Sequence, residues 1–161
     1  MWRQIALGLV ALWALFVVSM RTKFRPVIDG LRAMTRTVFN PREMRTAGQP
    51  GAHASVVHHV GRTSGMAYAT PVVARRTDEG FAIALPYGTR ADWVKNVLAA
   101  GRATIVHDGG TYRVDRPQVR PTAMADGVFT PKEQWAHRLY GVGDVLLLRR
   151  ADAGGVLRRG V

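Results

Sequence analysis

The chain has 161 residues, of which 23 are Lys or Arg and 11 are Asp or Glu, so its formal net charge is +12. A chain of this length suits one domain, and 47% hydrophobic residues exclude a disordered basic tail. The absence of cysteine excludes disulfide scaffolds, zinc fingers, iron–sulfur clusters and thiol nucleophiles. The charge indicates an anionic partner, and composition alone leaves open anionic lipid, nucleic acid and a negatively charged cofactor.

The first predicted element is an apolar helix. Residues 5–20 carry no charge, and as a helix they would span about 24 Å of a hydrocarbon core that is ~30 Å thick. Residues 2–4 extend the helix at its start. Three cations that could reach lipid headgroups follow directly: Arg21, Lys23 and Arg25. We therefore predict a membrane anchor over residues 1–20.

The flanking charge predicts the orientation of this anchor. Residues 21–45 carry seven basic and two acidic groups, which places the rest of the chain on the cytoplasmic side of the cell membrane. A secretory signal is a weaker interpretation, because Val18-Ser19-Met20 is a poor cleavage site. A buried core helix, or a contact within a homodimer, remains the alternative to an anchor.

An amphipathic helix is predicted next. Its apolar stripe consists of Val27, Ile28, Leu31, Met34 and Val38, and Arg32, Arg36 and Thr37 lie off the stripe. The basic face would lie on an anionic membrane surface, while the stripe would pack on the domain. Asn40-Pro41 predicts a break and residues 47–51 a linker. Residues 21–51 are thus helix and linker, and residues 52–161 are the folded domain.

The domain is predicted to consist of short strands. Six segments have strand patterns: 53–60, 67–75, 81–85, 103–107, 111–115 and 144–150. Asp108-Gly109-Gly110 predicts a hairpin. Two helices are predicted from capping boxes at Thr89 with Asp92 and at Thr130 with Glu133, and they end at Gly101 and Gly141. Hairpin-joined strands with few helices predict a mainly β (α+β) fold, an antiparallel barrel that is closed or nearly closed.

The loop between the first two strands is the main candidate for a binding site. It reads Gly61-Arg62-Thr63-Ser64-Gly65. A guanidinium, two hydroxyl groups and backbone N–H groups near glycines suit a phosphate or a carboxylate. An ordinary turn has the same composition, and the loop matches neither the phosphate loop of nucleotide hydrolases nor the dinucleotide fingerprint.

Histidines suggest a metal site only at first sight. His53, His58 and His59 lie on one predicted strand. Adjacent strand residues point to opposite faces, and no carboxylate lies nearby in the sequence. No metal site is therefore predicted.

Three segments together resemble the deazaflavin-dependent nitroreductase family, whose members use coenzyme F420. They are HHVGRTSGMAYATPVV, ALPYG and ADWVKNVLAAG, within residues 52–116. The matching features are the Gly-Arg-x-Ser/Thr-Gly loop, the pair Thr70-Pro71, Gly88 after the third strand, and Trp93 with Asn96. The resemblance implies a split β-barrel related to flavin-binding oxidases. It also implies hydride transfer from the reduced coenzyme to a quinone, a nitroaromatic compound or a similar electrophile.

The resemblance also implies coenzyme contacts. The phosphodiester and the oligoglutamate tail of the coenzyme would meet Arg62, Thr63 and Ser64, between Gly61 and Gly65. Six residues would line the ring pocket: Thr70, Pro71, Ala84, Pro86, Tyr87 and Gly88. Family members often carry a lysine or another polar residue where Tyr87 stands. Trp93 and Asn96, three apart on a helix, would meet one ligand. A core anchor is an equal interpretation of Trp93, and a helix-to-strand hydrogen bond is the alternative for Asn96.

Two tyrosines are candidates for contacts to the substrate. A phenol can donate to an oxygen on which negative charge develops during hydride transfer. Tyr140, at the end of the predicted helix KEQWAHRLY, matches approximately the region where the family has substrate-side tyrosines. Tyr87 is the second candidate. Ordinary packing is the alternative role of both.

Three hypotheses about function follow. The first is a membrane-associated reductase that uses F420 and a lipophilic electron acceptor. The second is a module that binds deazaflavin or FMN without turnover. The third, a nucleic-acid-binding protein, is disfavoured because no recognition helix or aromatic-interleaved basic strand is evident. The net charge divides into +1 from Arg3, +5 from residues 21–45 and +6 from the remainder, which suits an anchor flank and an anionic coenzyme.

Overall fold

Seven strands form one antiparallel sheet in this computed structural model, which describes residues 2–35, 37 and 40–151. The strands are β1 (Ser55–Val60), β2 (Ala67–Val72), β3 (Ala74–Arg76), β4 (Gly80–Ala84), β5 (Arg102–His107), β6 (Gly110–Pro121) and β7 (Asp144–Arg150). Their order across the sheet is β2-β1-β5-β6-β7-β4-β3, and all neighbours are antiparallel. The predicted mainly β fold with flanking helices is confirmed.

The two edge strands of this sheet are consecutive in the chain. β2 ends at Val72 and β3 begins at Ala74, so Val73 alone joins them. The Cα atoms of Val72 and Ala74 are therefore at most about 7 Å apart, whereas the edges of a flat seven-stranded sheet would be ~29 Å apart. The sheet is curled into a half-barrel whose edges meet at Val73. This arrangement is the predicted split barrel.

Two predicted strands differ substantially from the structure, whereas the bounds of the other four agree within two residues. The predicted strand 67–75 is divided at Val73, because its halves pair with β1 and β4 at opposite edges of the sheet. The predicted strand 111–115 continues to Pro121. An irregularity after Asp115 takes up Arg116, whose φ is 49°, and a bulge of this kind lets a strand continue with a bend.

The hairpin between β5 and β6 is confirmed. His107 pairs with Gly110, so the loop consists of Asp108 and Gly109. Both have positive φ, 49° and 76°, as the favoured two-residue hairpin turn requires.

Two helices pack on the half-barrel. α4 (Asp92–Ala100) closes the main core, and α5 (Pro131–Tyr140) follows a 3-10 helix over Thr122–Val128. The largest fully buried side chains of the core are Phe81, Ile83, Ile105 and Leu146, against which Val94 and Val97 of α4 pack. Each such side chain contributes roughly 1.5–3 kcal/mol by its burial, so this cluster is the main source of stability.

The capping box of α5 is present as predicted. The Glu133 N–H donates to Thr130 Oγ1 at 3.3 Å, and the Thr130 N–H donates to Glu133 Oε2 at 2.9 Å. Gly101 and Gly141, with φ of 67° and 62°, end α4 and α5 in the left-handed conformation, as predicted.

The capping box predicted at Thr89 was wrong. α4 begins at Asp92, and the residue before it, Ala91, provides no side-chain cap. The reason lies in the preceding turn, where Gly88 has φ of 73° and its N–H donates to the Leu85 carbonyl oxygen at 2.9 Å. This turn keeps Thr89 outside the helix.

The N-terminal helix α1 (Trp2–Arg21) has 20 residues and is ~30 Å long, which matches a hydrocarbon core. Its length and composition would allow it to cross a membrane, although a soluble core helix or a signal sequence passes the same test. Within α1 the buried residues are Val17, Ser19 and Met20. Only the end of this helix therefore packs on the domain.

α2 (Arg25–Met34) agrees with the predicted amphipathic helix. Ile28 is buried, while Leu31 is half-buried. Arg36 and Val38, which were predicted for the same helix, lie outside the described residues. At the predicted break, Asn40-Pro41 begin a separate short helix, α3 (Asn40–Glu43). Proline is tolerated in the first turn of a helix.

The predicted linker packs on the hairpin between β5 and β6. Gly48 is buried, its N–H donates to the Ala54 carbonyl oxygen, and its own carbonyl accepts from the Gly109 N–H, both at 2.7 Å. A Cβ at Gly48 would lie 2.8 Å from Cγ1 of Val106. Glycine is needed at this close approach.

Candidate functional site

The loop between β1 and β2 is a tight turn. The Gly61 N–H donates to the Met66 carbonyl oxygen and the Gly65 N–H to the Gly61 carbonyl oxygen, both at 2.8 Å. A Cβ at Gly61 would collide with Ser64 Oγ, and Gly65 has φ of 66°. Both predicted glycines are therefore explained by the geometry of the loop itself.

Arg62 is held against the first turns of α4. Its Nη1 and its backbone N–H donate to Asn96 Oδ1, at 2.9 and 3.2 Å. Its Nη2 forms an ion pair with Asp92 Oδ1 at 3.2 Å. These contacts fix the guanidinium, and the Arg62 side chain is still 35% exposed, so part of the side chain is accessible to a ligand. Thr63 and Ser64 are exposed beside it, and their hydroxyl groups complete a donor set suited to a phosphate.

Asn96 is only 5% exposed, and it links the loop to β1. Its Nδ2 lies 3.2 Å from His59 Nδ1, and His59 Nε2 lies 3.1 Å from Thr70 Oγ1. Arg62, Asn96, His59 and Thr70 therefore form one continuous chain of hydrogen bonds. The structure shows the helix-to-strand hydrogen bond that was the alternative for Asn96.

His59 is a residue whose role sequence analysis missed. Burial, with a smaller contribution from His58, lowers its pKa below the ordinary value, so its ring is neutral at neutral pH. The ring stacks on that of Tyr68, with centroids 5.7 Å apart. Alternation along β1, in which His58 is exposed and His59 buried, was the signal that could have indicated it. Within the described residues, no cluster of three or more His, Asp or Glu could hold a metal ion.

Trp93 packs against the main core. It is half-buried there, which is the arrangement of a core anchor. Thr70 and Pro71 lie on β2, opposite Val57 and Val56 of β1, and Ala84 ends β4 opposite Val145. Their contact with a coenzyme ring stays a prediction.

A second group of predicted residues lines an apolar cavity of about 410 Å³ between the domain and the N-terminal helices. Tyr87 and Tyr140, the two predicted substrate-side residues, both line this cavity. The Phe16 ring of α1 stands edge-on to the Tyr140 ring at a centroid distance of 6.1 Å. The complete lining consists of Phe16, Met20, Leu31, Pro86, Tyr87, Ala136, His137, Tyr140 and Val142.

Cations from the N-terminal segment hold the rim of this cavity. Arg32 Nη2 donates to the Tyr87 carbonyl oxygen at 2.6 Å, and Lys23 Nζ donates to the Pro86 carbonyl oxygen at 3.1 Å. Burial lowers the pKa of Lys23, and nearby Asp144 opposes this effect. Lys23 and Arg32, which were expected to face the membrane surface, therefore bind the domain.

His137 is the second residue that sequence analysis missed. It lines the cavity one helical turn before Tyr140, and the Phe129 ring meets it edge-on at 4.8 Å. Burial lowers its pKa, and the opposing effects of Glu133 and Asp126 are smaller. The spacing of three residues from Tyr140 on α5 could have indicated it, because such pairs share a helix face.

The loop around Arg62 and the residues that line the cavity are connected by a short segment of the chain. Tyr87 lies in the cavity and Asp92 holds Arg62, and five residue steps separate them. Their Cα atoms are at most ~18 Å apart. One elongated ligand could therefore reach both places, and the donors around Arg62 suit an anionic group.

Comparison with known proteins gives no family assignment. No family model matches the chain, and no curated protein does. Similar solved structures include the heme storage protein HutZ from Vibrio cholerae, with 11% identity, a TM-score of 0.44, and coverage of 61% of this chain and 81% of that chain. An F420-H2 dependent reductase (FDR-A) has 14% identity, a TM-score of 0.41, and coverage of 60% and 94%.

A third similar structure is Atu2129 from Agrobacterium tumefaciens, described as of unknown function. It has 15% identity, a TM-score of 0.42, and coverage of 61% of this chain and 48% of that chain. At TM-scores below 0.5 these likenesses carry no weight for function. The fold of this chain follows instead from its own strand order.

Proposed function

We propose that this protein is a membrane-associated oxidoreductase that transfers a hydride from reduced coenzyme F420 to a lipophilic electrophile such as a quinone or a nitroaromatic compound. The observation that carries the proposal is the apolar cavity in which Tyr87 and Tyr140 meet Phe16 and Met20 of α1. A cavity built partly from a membrane-anchor helix is accessible to molecules dissolved in lipid, and its apolar walls favour such molecules.

The exposed surface of α1 supports the membrane location. Its large apolar side chains are mostly exposed, among them Leu7 at 69%, Leu9 at 63% and Leu12 at 65%. A contiguous exposed apolar surface marks a membrane or protein contact. The domain would lie on the cytoplasmic side, against an anionic membrane surface.

The coenzyme side of the proposal rests on the donors around Arg62 and on the sequence resemblance. Arg62 is fixed by Asn96 and Asp92 and remains partly open, so it would hold an anionic group of the coenzyme. FMN carries a phosphate as well and is the alternative cofactor. The bound coenzyme would supply the hydride, whose electron pair reduces the acceptor.

The chain itself would orient and stabilise the reactants. Phenol groups of Tyr87 and Tyr140 would donate hydrogen bonds to the acceptor oxygen on which negative charge develops. Tyr87 Oη lies 3.4 Å from Thr35 Oγ1, which restrains its ring. The apolar lining would exclude water and thereby strengthen these hydrogen bonds.

A titration of the full-length protein in detergent with F420 and, in parallel, with FMN tests the cofactor. We expect F420 to bind, and reduced F420 to be consumed when a menaquinone is added. Absence of F420 binding would refute the proposal. Binding without consumption across quinone and nitroaromatic acceptors would instead support a module that binds the coenzyme without turnover.

The cavity is tested by comparing quinones with long and short side chains. We expect Phe16→Ala to raise the KM for the long-chain quinone severalfold and the KM for the short-chain quinone little. The matched control is Phe24→Ala, because Phe24 is 54% exposed and does not line the cavity. Tyr140→Phe should lower kcat about 10-fold, because it removes one ordinary hydrogen bond to the acceptor. Equal effects of Phe16→Ala and Phe24→Ala would contradict the assignment of the cavity.

A further inference from the structure

The chain of hydrogen bonds from Arg62 to Thr70 has a fixed direction. The backbone N–H and the guanidinium of Arg62 can only donate, and both reach Asn96 Oδ1, at 3.2 and 2.9 Å. Asn96 Oδ1 therefore faces Arg62, and Asn96 Nδ2 faces His59. The Nδ2 group is a donor, so His59 Nδ1, 3.2 Å away, must accept and carry no proton.

This arrangement determines which ring nitrogen of His59 carries the proton, and that in turn determines whether the Thr70 hydroxyl accepts or donates. A neutral imidazole with an unprotonated Nδ1 carries its proton on Nε2. His59 Nε2 therefore donates to Thr70 Oγ1 at 3.1 Å. The Thr70 oxygen acts as acceptor in this bond, and its own proton is left to donate to a further acceptor. Thr70 is half-buried, so a ligand can reach it.

We propose that His59 is a positioning residue that relays the orientation of Asn96 to Thr70 and so presents the Thr70 hydroxyl as a donor to an acceptor atom of the bound coenzyme. This inference rests on the proposed function, since Thr70 is an expected coenzyme contact. The ring of His59 is held rigidly for such a role, because it is 6% exposed and stacks on Tyr68 at an interplanar angle of 19°.

Protonation of His59 would break the relay. A charged imidazole carries a proton on both nitrogens, and Nδ1–H would then face the Asn96 Nδ2 donor. The titratable and charged groups around the ring are His58 on β1, Tyr68 on β2, and, through Asn96, Arg62 of the loop and Asp92 of α4. We therefore expect coenzyme affinity to fall as the pH drops below the ordinary histidine range.

Variants of the full-length protein in detergent test the relay by coenzyme affinity. His59→Phe keeps the aromatic ring beside Tyr68 and removes both nitrogens, and we expect it to weaken F420 binding about 10-fold. His58→Phe is the matched control, since His58 is exposed on the opposite face of β1, and it should change the affinity less than 2-fold. Equal losses in the two variants would overturn the proposal.

Two further variants separate positioning from general stability. Thr70→Val should also weaken binding about 10-fold, and the double variant His59→Phe/Thr70→Val should lose ~10-fold rather than ~100-fold, because residues that act through one another are not additive. His59→Gln retains one acceptor and one donor without titrating. It should therefore keep most of the affinity and lose the decline in affinity at acid pH. An additive double variant, or an unchanged pH profile in His59→Gln, would refute the relay.

The tautomer of His59 can be measured without any coenzyme. Nitrogen NMR of the full-length protein labelled at histidine, with His59→Phe used to assign the signal, distinguishes protonation at Nε2 from protonation at Nδ1. We expect the Nε2–H form at neutral pH, and the Nδ1–H form would overturn the proposal. This measurement holds even if wild-type protein fails to bind F420, which would refute the proposed function alone.

Discussion

The guanidinium of Arg21 donates a hydrogen bond of 2.7 Å to the carbonyl oxygen of Arg138. The last carbonyl groups of a helix have no partner within the helix, and a cation at this end also interacts favourably with the helix dipole. Arg21 ends α1, and Arg138 lies in the last turn of α5. The N-terminal helix is thus fastened to the helix that carries Tyr140.

Replacing Arg21 should loosen this attachment. We expect Arg21→Ala to lower the free energy of unfolding by about 1 kcal/mol, because it removes a charge-assisted but solvent-exposed hydrogen bond. Chemical unfolding of the full-length protein in detergent measures the change. Arg3→Ala, at the exposed start of α1, is the control and should have no effect. Equal losses in both variants would show that the contact of Arg21 is unimportant.

The ion pair between Arg75 and Glu133 gives the fold a pH dependence. Arg75 Nε and Nη2 both reach Glu133 Oε1, at 2.9 and 2.5 Å. Burial opposes ionisation of Glu133, but hydrogen bonds from Arg75 and Thr130 outweigh it and lower its pKa from 4.5 to about 2. The ionised carboxylate therefore stabilises the fold above pH ~4.5, and this contribution disappears as the pH falls towards ~2.

The variant Glu133→Gln tests this dependence. We expect it to lower the free energy of unfolding at pH 7 by about 2 kcal/mol, a value reduced for the partial solvent exposure of the pair. The difference from wild type should shrink between pH ~4.5 and pH ~2. Glu79→Gln, at an exposed turn position, is the control. A difference that stays constant with pH would mean that ionisation of Glu133 does not stabilise the fold.

Much of the fold could be predicted because its signals are local. The hairpin at Asp108 and Gly109 and the capping box at Thr130 depend on residues that are adjacent in the sequence. The division of strand 67–75 at Val73 could not be predicted. Val73 belongs to the same run of β-branched and small residues as its neighbours, and only pairing with β1 and β4 separates the halves.

Charge reversal at Arg62 should weaken coenzyme binding more than charge reversal elsewhere. We expect Arg62→Glu to lose F420 affinity at least 10-fold, because a cationic donor is replaced by a repelling carboxylate. Arg90→Glu makes the same change in net charge at an exposed position near the start of α4 and should cost less than 3-fold at physiological salt. Comparable losses would indicate a diffuse electrostatic effect.

The candidate site was only partly visible in the sequence. The glycines and the arginine of the loop form one contiguous segment, so their proximity was predictable. The contacts of Lys23 and Arg32 were not, because their acceptors are the carbonyl oxygens of Pro86 and Tyr87, which any residue type could supply. From composition these cations were predicted to contact lipid, whereas Lys23 and Arg32 bind backbone carbonyl groups at the rim of the cavity.

Charges placed on α1 should separate membrane binding from folding. Leu9 and Leu12 are 63% and 65% exposed, so we expect Leu9→Lys/Leu12→Lys to abolish flotation with phospholipid vesicles and to leave the unfolding free energy unchanged. The control Leu98→Lys changes an exposed leucine on α4 and should float like wild type. Retained flotation of the double variant would exclude α1 as the anchor. Vesicles with and without anionic lipid would measure the contribution of basic residues.

Val73, the single residue between β2 and β3, also affects whether copies of the chain can pair through their sheet edges. An open seven-stranded sheet would present two long rows of unpaired N–H and C=O groups, and such rows are templates for pairing with another chain. Here the two edge strands, β2 and β3, meet at Val73 and have only six and three residues. Such short edges offer little for another chain to pair with, which limits edge-to-edge aggregation, a hazard that grows when molecules are concentrated on one surface.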